Sequence, residues 1–259
     1  MAITAIIMDV TMNITADKKA DLEGREKTAD PSYRGGVVVL LLCAGLSLVL
    51  SLPRLIGGLH ALGAGETVSA LLSDGPPPAA AVLENAAADL AAAERWGGAA
   101  EYALDRGLIL LRQGLAAPGE EKAAAFFAAA EQATIAGVTA APGEPAAWAR
   151  LAWLRHRRGD IQGALAALRL SWLSGAFVPA MMASRLEFAL ALHGATPYAM
   201  DDEMLSLLRR QIRLAWVVSP DFVAQLAVTP KVGAVVNEAL AQLSEQDIQK
   251  YIQFHGDKK

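Results

Sequence analysis

Residues 145–179 read PAAWARLAWLRHRRGDIQGALAALRLSWLSGAFVP, and in this stretch two helices and the turn between them can be read together. Trp148, Leu151 and Ala152 share one face of a first helix. Gly159-Asp160 interrupts it. Ile161, Ala164, Leu165, Leu168 and Trp172 then recur at the helical period on a second helix. The first helix ends in Arg155, His156, Arg157 and Arg158, cations that suit the negative end of a helix dipole. The spacing predicts a helical hairpin.

The same helix, glycine, helix order recurs outside it. Residues 79–94 form a helix with Val82, Leu83, Ala86 and Leu90 on its apolar side, and Trp96-Gly97-Gly98 breaks it before a partner at 99–113 carrying Ala103, Leu104, Leu108 and Leu111. A longer helix at 120–137 is expected to pack through Ala124, Phe127, Ala128 and Ile135. Beyond Pro179, a helix at 181–192 carries Leu186, Ala189 and Leu190. Asp201 or Asp202 caps another helix, with Met204, Leu207, Leu208, Ile212, Ala215 and Trp216 on one side. Ser219-Pro220 and Thr229-Pro230 each set a capping hydroxyl before a proline fit for the first helical position, and Ser244 with Asp247 gives a last start signal. No segment alternates long enough to be a strand, so the fold class is all-α. The order bulky, small, glycine, small in the central hairpin resembles a tetratricopeptide repeat. The resemblance implies that Trp148 wedges between helices, that Ala152 and Ala164 let them approach, and that Gly159 makes the tight turn. Arg155 stands where such repeats usually carry an aromatic, and the closing proline, Pro179, comes a few residues late.

Residues 35–52, GGVVVLLLCAGLSLVLSL, hold no charge and reach the lower limit for a membrane-spanning helix; Pro53-Arg54 is expected to end it, although apolar residues resume to Leu62. Lys18, Lys19, Arg25, Lys27 and Arg34 precede the run, whereas Arg54 alone follows it before Arg95, which places the N-terminus in the cytoplasm. A cleaved signal peptide is the alternative; the long preceding region and the lack of a small-residue cleavage site in HALGAGE, residues 60–66, argue for an anchor. The expected organisation is a disordered cytoplasmic tail at 1–34, with Met8 and Met12 as alternative starts, a transmembrane anchor at 35–54 and a linker at 55–78 containing Pro76 to Pro78. A helical repeat-like domain at 79–254 and a frayed end at 255–259 complete it. The expected location is a bacterial inner membrane, single pass, with the main domain in the periplasm.

The 259 residues carry a net charge of −4, but residues 55–145 hold eleven acids against four bases while residues 146–216 hold nine arginines against five acids. A single cysteine, Cys43, excludes an internal disulfide and a multi-cysteine metal site. His60, His156, His193 and His255 stand apart without ligand spacing, and no nucleophile elbow, phosphate loop or dinucleotide fingerprint occurs. The paired acids Glu120-Glu121 and Asp201-Asp202-Glu203 fall at helix starts, where the dipole explains them. No catalytic residue, metal or cofactor is expected. The arginines are the better lead: Arg155, Arg157 and Arg158 at one helix end, and Arg209, Arg210 and Arg213 around a later helix, with Trp153 as an aromatic contact for a sugar or peptide. A solvated helix face is the ordinary explanation of such runs. The functional one is an anionic partner: an acidic protein surface, an anionic glycan or lipid headgroups. Nucleic acid does not fit the predicted side of the membrane.

Trp148-Ala149-Arg150-Leu151 together with Gln211-Ile212-Arg213-Leu214-Ala215-Trp216, in the last half of the chain, resembles the VpsP-like membrane-anchored accessory proteins of bacterial polysaccharide-biosynthesis loci. The resemblance implies a part in the assembly or export of an exopolysaccharide or surface glycan, beside a polysaccharide polymerase or export components, with no catalytic residue to carry over. The expectation is a non-enzymatic scaffold that holds protein partners along the face built by first helices such as 146–158. An adaptor in cytochrome maturation or cell division is the alternative. A glycan-active envelope enzyme would need convergent acids or a partnered histidine in a deep pocket.

Overall fold

Gly159 adopts a left-handed backbone, φ 84°, and a few residues around it close one helix and open the next. In the computed structural model, which describes residues 31–73 and 75–243, helix α5 (Pro145–Arg157) ends in a Schellman closure. The Gly159 N–H donates to the His156 carbonyl at 2.9 Å and the Asp160 N–H to the Arg155 carbonyl at 3.0 Å. Asp160 then caps helix α6 (Ile161–Ser174), its Oδ1 accepting the Gly163 N–H at 2.9 Å. The predicted hairpin forms around this turn, with Leu151, Ala152, Leu165, Leu168 and Trp172 all buried.

The remaining described elements are α1 (Pro31–Leu72), α2 (Ala80–Gly97), α3 (Ala100–Ala116), α4 (Glu120–Ala140), α7 (Pro179–Ala195), a 3₁₀ turn (Pro197–Ala199), α8 (Asp202–Val218), α9 (Pro220–Ala227) and α10 (Gly233–Ala241). The fold is all-helical among the described residues. It divides into two compact units, Met1–Arg54 and Leu55–Lys259. Of the first unit, the described part is helix; its side chains from Gly36 to Arg54 are exposed except for half-exposed Pro53. In the second unit, α2 packs on α3, α3 on α4, α4 on α5 and α5 on α6, while α8 gathers α7, α9 and α10. The largest core runs from Leu151 and Trp172 to Met204, Leu208, Ile212 and Ala215, which recur along one face of α8. Asp201 supplies its cap, accepting the Met204 N–H at 2.7 Å.

Several expectations need correction. Pro53-Arg54 does not end the first helix, and residues 55–72 are not a linker: α1 continues to Leu72, with Ala64, Val68 and Leu71 buried against Leu83, Ala86 and Leu90 of α2. Packing over those turns compensates the backbone hydrogen bond that Pro53 cannot donate. Val82 stays exposed on α2. On α4 the buried face is Ala130, Ala133, Thr134, Gly137 and Val138, whereas Ala124 and Ala128 are exposed. Its position is set by close approach: a Cβ on Gly107 of α3 would lie 2.6 Å from the Thr134 hydroxyl oxygen, and one on Gly114 would meet Phe127. Helix period alone cannot pick a face in so alanine-rich a segment. Thr229-Pro230, finally, begins no helix; the Thr229 hydroxyl donates back to the Gln225 carbonyl at 2.9 Å, and α10 starts at Gly233. Pro220 does stand at the start of α9, but the Ser219 side chain makes no capping bond. Of the expected tail at 1–34, residues 31–34 belong to α1; residues 1–30, the start signal at Ser244 and Asp247, and the frayed end at 255–259 lie outside the described residues.

Candidate functional site: the α4–α5 groove

Trp153 and Arg157 stand one turn apart on α5, and Phe127 and Glu131 one turn apart on α4, so the crossing of these helices brings four side chains together. The Phe127 and Trp153 rings meet edge to face, 5.5 Å between centroids at 74°. The Arg157 guanidinium lies over both, 5.2 Å from the Phe127 centroid and 5.6 Å from that of Trp153. Glu131 is buried beside them, and it takes the two neighbouring cations. Arg158 Nη1 lies 3.0 Å from its Oε2, and Arg155 Nε 3.6 Å from its Oε1. Arg155 also donates to the Gly163 carbonyl at 3.2 Å, and Arg158 Nη2 to Asp160 at 3.2 Å.

The three arginines at the end of α5 are therefore unequal. Arg155 and Arg158 are held by carboxylates and stabilise the hairpin turn. Arg157 pairs with no carboxylate among the described residues; its charge is exposed and its guanidinium lies against two rings. These residues open onto a cleft of about 250 Å³ whose walls include Ala124, Phe127, Ala128, Leu154, Arg157 and Arg158. Two carboxylates line it as well: Glu120 at the N-terminus of α4, and Glu131, which the neighbouring arginines neutralise. The Asp160 carboxyl is held below the usual range by the Gly163 N–H and by Arg158, so the Arg158–Asp160 bond keeps its charge at neutral pH.

The other predicted site residues lie elsewhere. Arg209 reaches Glu238 of α10 at 2.9 Å, and Arg213 donates to Gln242 at 3.2 Å. These two tie α8 to the end of the chain's described part. Arg210 is exposed. Of the recurring motif residues, Trp148 is half-buried with its indole N–H donating to the Pro142 carbonyl at 2.8 Å, and Arg150 donates to the Leu104 carbonyl of α3 at 2.6 Å. Burial pushes the Arg150 guanidinium down to about 10, against the pull of nearby Asp105.

Sequence reasoning missed Glu131 and Arg185. Glu131 lies in an alanine-rich helix, and the available signal was an isolated acid four residues after Phe127 and three before Thr134. Arg185 is buried at 2% exposure, where it donates at 2.9 Å to the Ser171 and Gly175 carbonyls at the end of α6. A cation at that position suits the negative end of the helix, adding a bond to the Ser171 carbonyl, which also accepts the Gly175 N–H, and meeting the Gly175 carbonyl beyond it. Among the described residues no group of three His, Cys, Asp or Glu side chains converges as a metal site.

Fold and site together define an all-helical protein whose first helix, over Gly36–Leu72, contains an 18-residue window of mean hydropathy 2.4 and is long and apolar enough to cross a membrane. Helix α4 is also long and apolar enough by length and composition, with a third of its apolar window buried against the helical unit. No protein-family model matches the chain, and no curated protein matches it.

Proposed function

We propose that this protein is a membrane-anchored adaptor whose helical unit captures an acidic segment of a partner protein in the α4–α5 groove. The observation that carries this is Arg157, a cation with no carboxylate partner among the described residues, its guanidinium carbon 5.2 Å from the Phe127 ring centroid and 5.6 Å from that of Trp153 at the mouth of the cleft. A guanidinium so fixed loses little freedom on meeting a carboxylate, and the rings behind it exclude water on one side. The alanines of α4 leave room for a chain to lie beside it. In this reading α1 is the anchor, the N-terminus is cytoplasmic and the helical unit is periplasmic, as the lysines and arginines before the span favour. The work is binding rather than catalysis. The VpsP-like resemblance supplies the setting: a scaffold in exopolysaccharide or surface-glycan assembly.

The test is affinity capture of the intact protein from native membranes, wild type against Arg157→Glu. Arg157 is the residue to reverse, because Arg158→Glu would also strip Glu131 and Asp160 of their partner. The expected result is a protein partner with an Asp/Glu-rich segment, competed by a soluble Glu-rich peptide and lost in Arg157→Glu at an unchanged melting temperature. A partner held equally by the variant, or retention of glycan or lipid with no protein, overturns the reading.

A further inference from the structure

Where α1 meets α2 the two backbones nearly touch. A Cβ on Gly57 would lie 2.9 Å from the Gly97 Cα and N, and 3.0 Å from the Ala93 carbonyl oxygen. Gly57 lies three residues after Arg54, the first charge to follow the apolar run. Three residues reach at most about 11 Å even when fully extended. Each polar layer of a bilayer is about 5–8 Å deep. Whatever angle the helical unit takes, this short tether keeps the C-terminal end of α2 beside the headgroups, provided that α1 spans the membrane.

The residues at that crossing have the character that a lipid interface selects. Trp96 precedes Gly97 and is 51% exposed, and Arg95 beside it is exposed as well. On α1, Leu55, Leu59 and Leu62 are 60–70% exposed. Because Gly57 faces α2, helix period places these three leucines on the opposite side of α1, away from the protein core. An exposed tryptophan next to arginine, with a leucine stripe close by, matches the headgroup boundary, where an indole has one apolar and one polar contact and a guanidinium finds phosphate.

We infer that the α2 C-terminus is a second membrane contact, a foot in which Trp96 enters the lipid interface and Arg95 pairs with lipid phosphate, while Leu55, Leu59 and Leu62 extend the lipid-facing surface past Pro53. The inference rests on the reading of α1 as a membrane span, and it adds that the helical unit stands directly on the bilayer.

The test uses the full chain in vesicles of phosphatidylethanolamine and phosphatidylglycerol containing lipids spin-labelled either near the headgroup or at the acyl-chain end. Tryptophan fluorescence is read for wild type and for Trp96→Phe. Of the five tryptophans, Trp96 is the one the account places in lipid. Shallow labels therefore quench wild type more than deep labels, and Trp96→Phe brings quenching down to the level of unlabelled vesicles. Adding Leu59→Trp to Trp96→Phe restores it, which separates lipid contact from any local change at the α2 end. Quenching that is absent in wild type or that persists in Trp96→Phe overturns the foot. Alkaline carbonate extraction distinguishes the two failures: release of the protein from vesicles sinks the span and the foot together, whereas retention without Trp96 quenching sinks the foot alone.

Discussion

Replacing Glu131 with Gln keeps the volume of the buried side chain and removes the charge that Arg155 and Arg158 share. Removing one member of a fully buried ion pair costs about 3–5 kcal/mol, because the other charge is left dry. That limit does not apply here. The Arg158 side chain is 57% exposed and can recover water, while Arg155, 25% exposed with its Nε buried, keeps its bond to the Gly163 carbonyl. Glu131 is the most desolvated member, its side chain 8% exposed, and the amide relieves that cost. The balance lies near the upper end of a surface pair, about 1–2 kcal/mol of destabilisation. For a unit of this size that corresponds to a fall of about 2–8 °C in melting temperature. Circular dichroism melts and urea titrations of Glu131→Gln, Arg158→Gln and the double variant test it, with an expected coupling of about 1 kcal/mol. Additivity of the two changes, or a Glu131→Gln protein as stable as wild type, would refute the assignment of Glu131 as the residue that occupies Arg155 and Arg158 and leaves Arg157 free.

Three other outcomes follow from the packing and the caps. Gly107→Ala gains about 1 kcal/mol of helix propensity but drives a Cβ into the buried Thr134 hydroxyl; we expect a net loss of about 1–2 kcal/mol in urea titration, and a gain would mean the α3–α4 approach is looser than described. Trp172→Ala should cost about 3–5 kcal/mol, whereas half-buried Trp148→Ala should cost less, and the reverse order in thermal melts would contradict the core assignment. Backbone N–H groups and arginines hold the Asp160 and Asp201 carboxyls below their ordinary value of 3.8. Their stabilisation is therefore full above that value and is lost as pH falls through the lower folded values. Asp160→Asn with Asp201→Asn should flatten the acid limb of the stability profile; an unchanged slope in acid titration would show that other carboxylates set it.

The hairpin around Gly159 was legible because its signals are local: an apolar period on each helix and the Gly159-Asp160 break between them, though Asp160 was read as part of the break and not as the cap it is. Trp172, at the end of the second helix's apolar series, was legible for the same reason. Helix α4 was not. Its alanines fit on any side, and the buried face is chosen by Gly107 and Gly114 on another helix, a long-range complementarity that no window along α4 contains. Pro53 misled for a related reason, since the helix beyond it is held by contacts to α2. The arginine cluster was found from sequence as a group, but the difference between Arg157 and its neighbours depends on Glu131, some two dozen residues earlier. Arg209 and Arg213 looked similar in sequence and turned out to brace α10.

The central claim is that the α4–α5 groove holds an acidic segment of another protein. Its most direct test is site-specific photo-crosslinking in native membranes from position 128, on the groove wall beside Arg157. The account predicts a crosslinked protein with an Asp/Glu-rich segment, displaced by a Glu-rich peptide and abolished by Arg157→Glu in a chain that still melts as wild type. A crosslink indifferent to Arg157→Glu, or no protein crosslink from the groove at all, would contradict it.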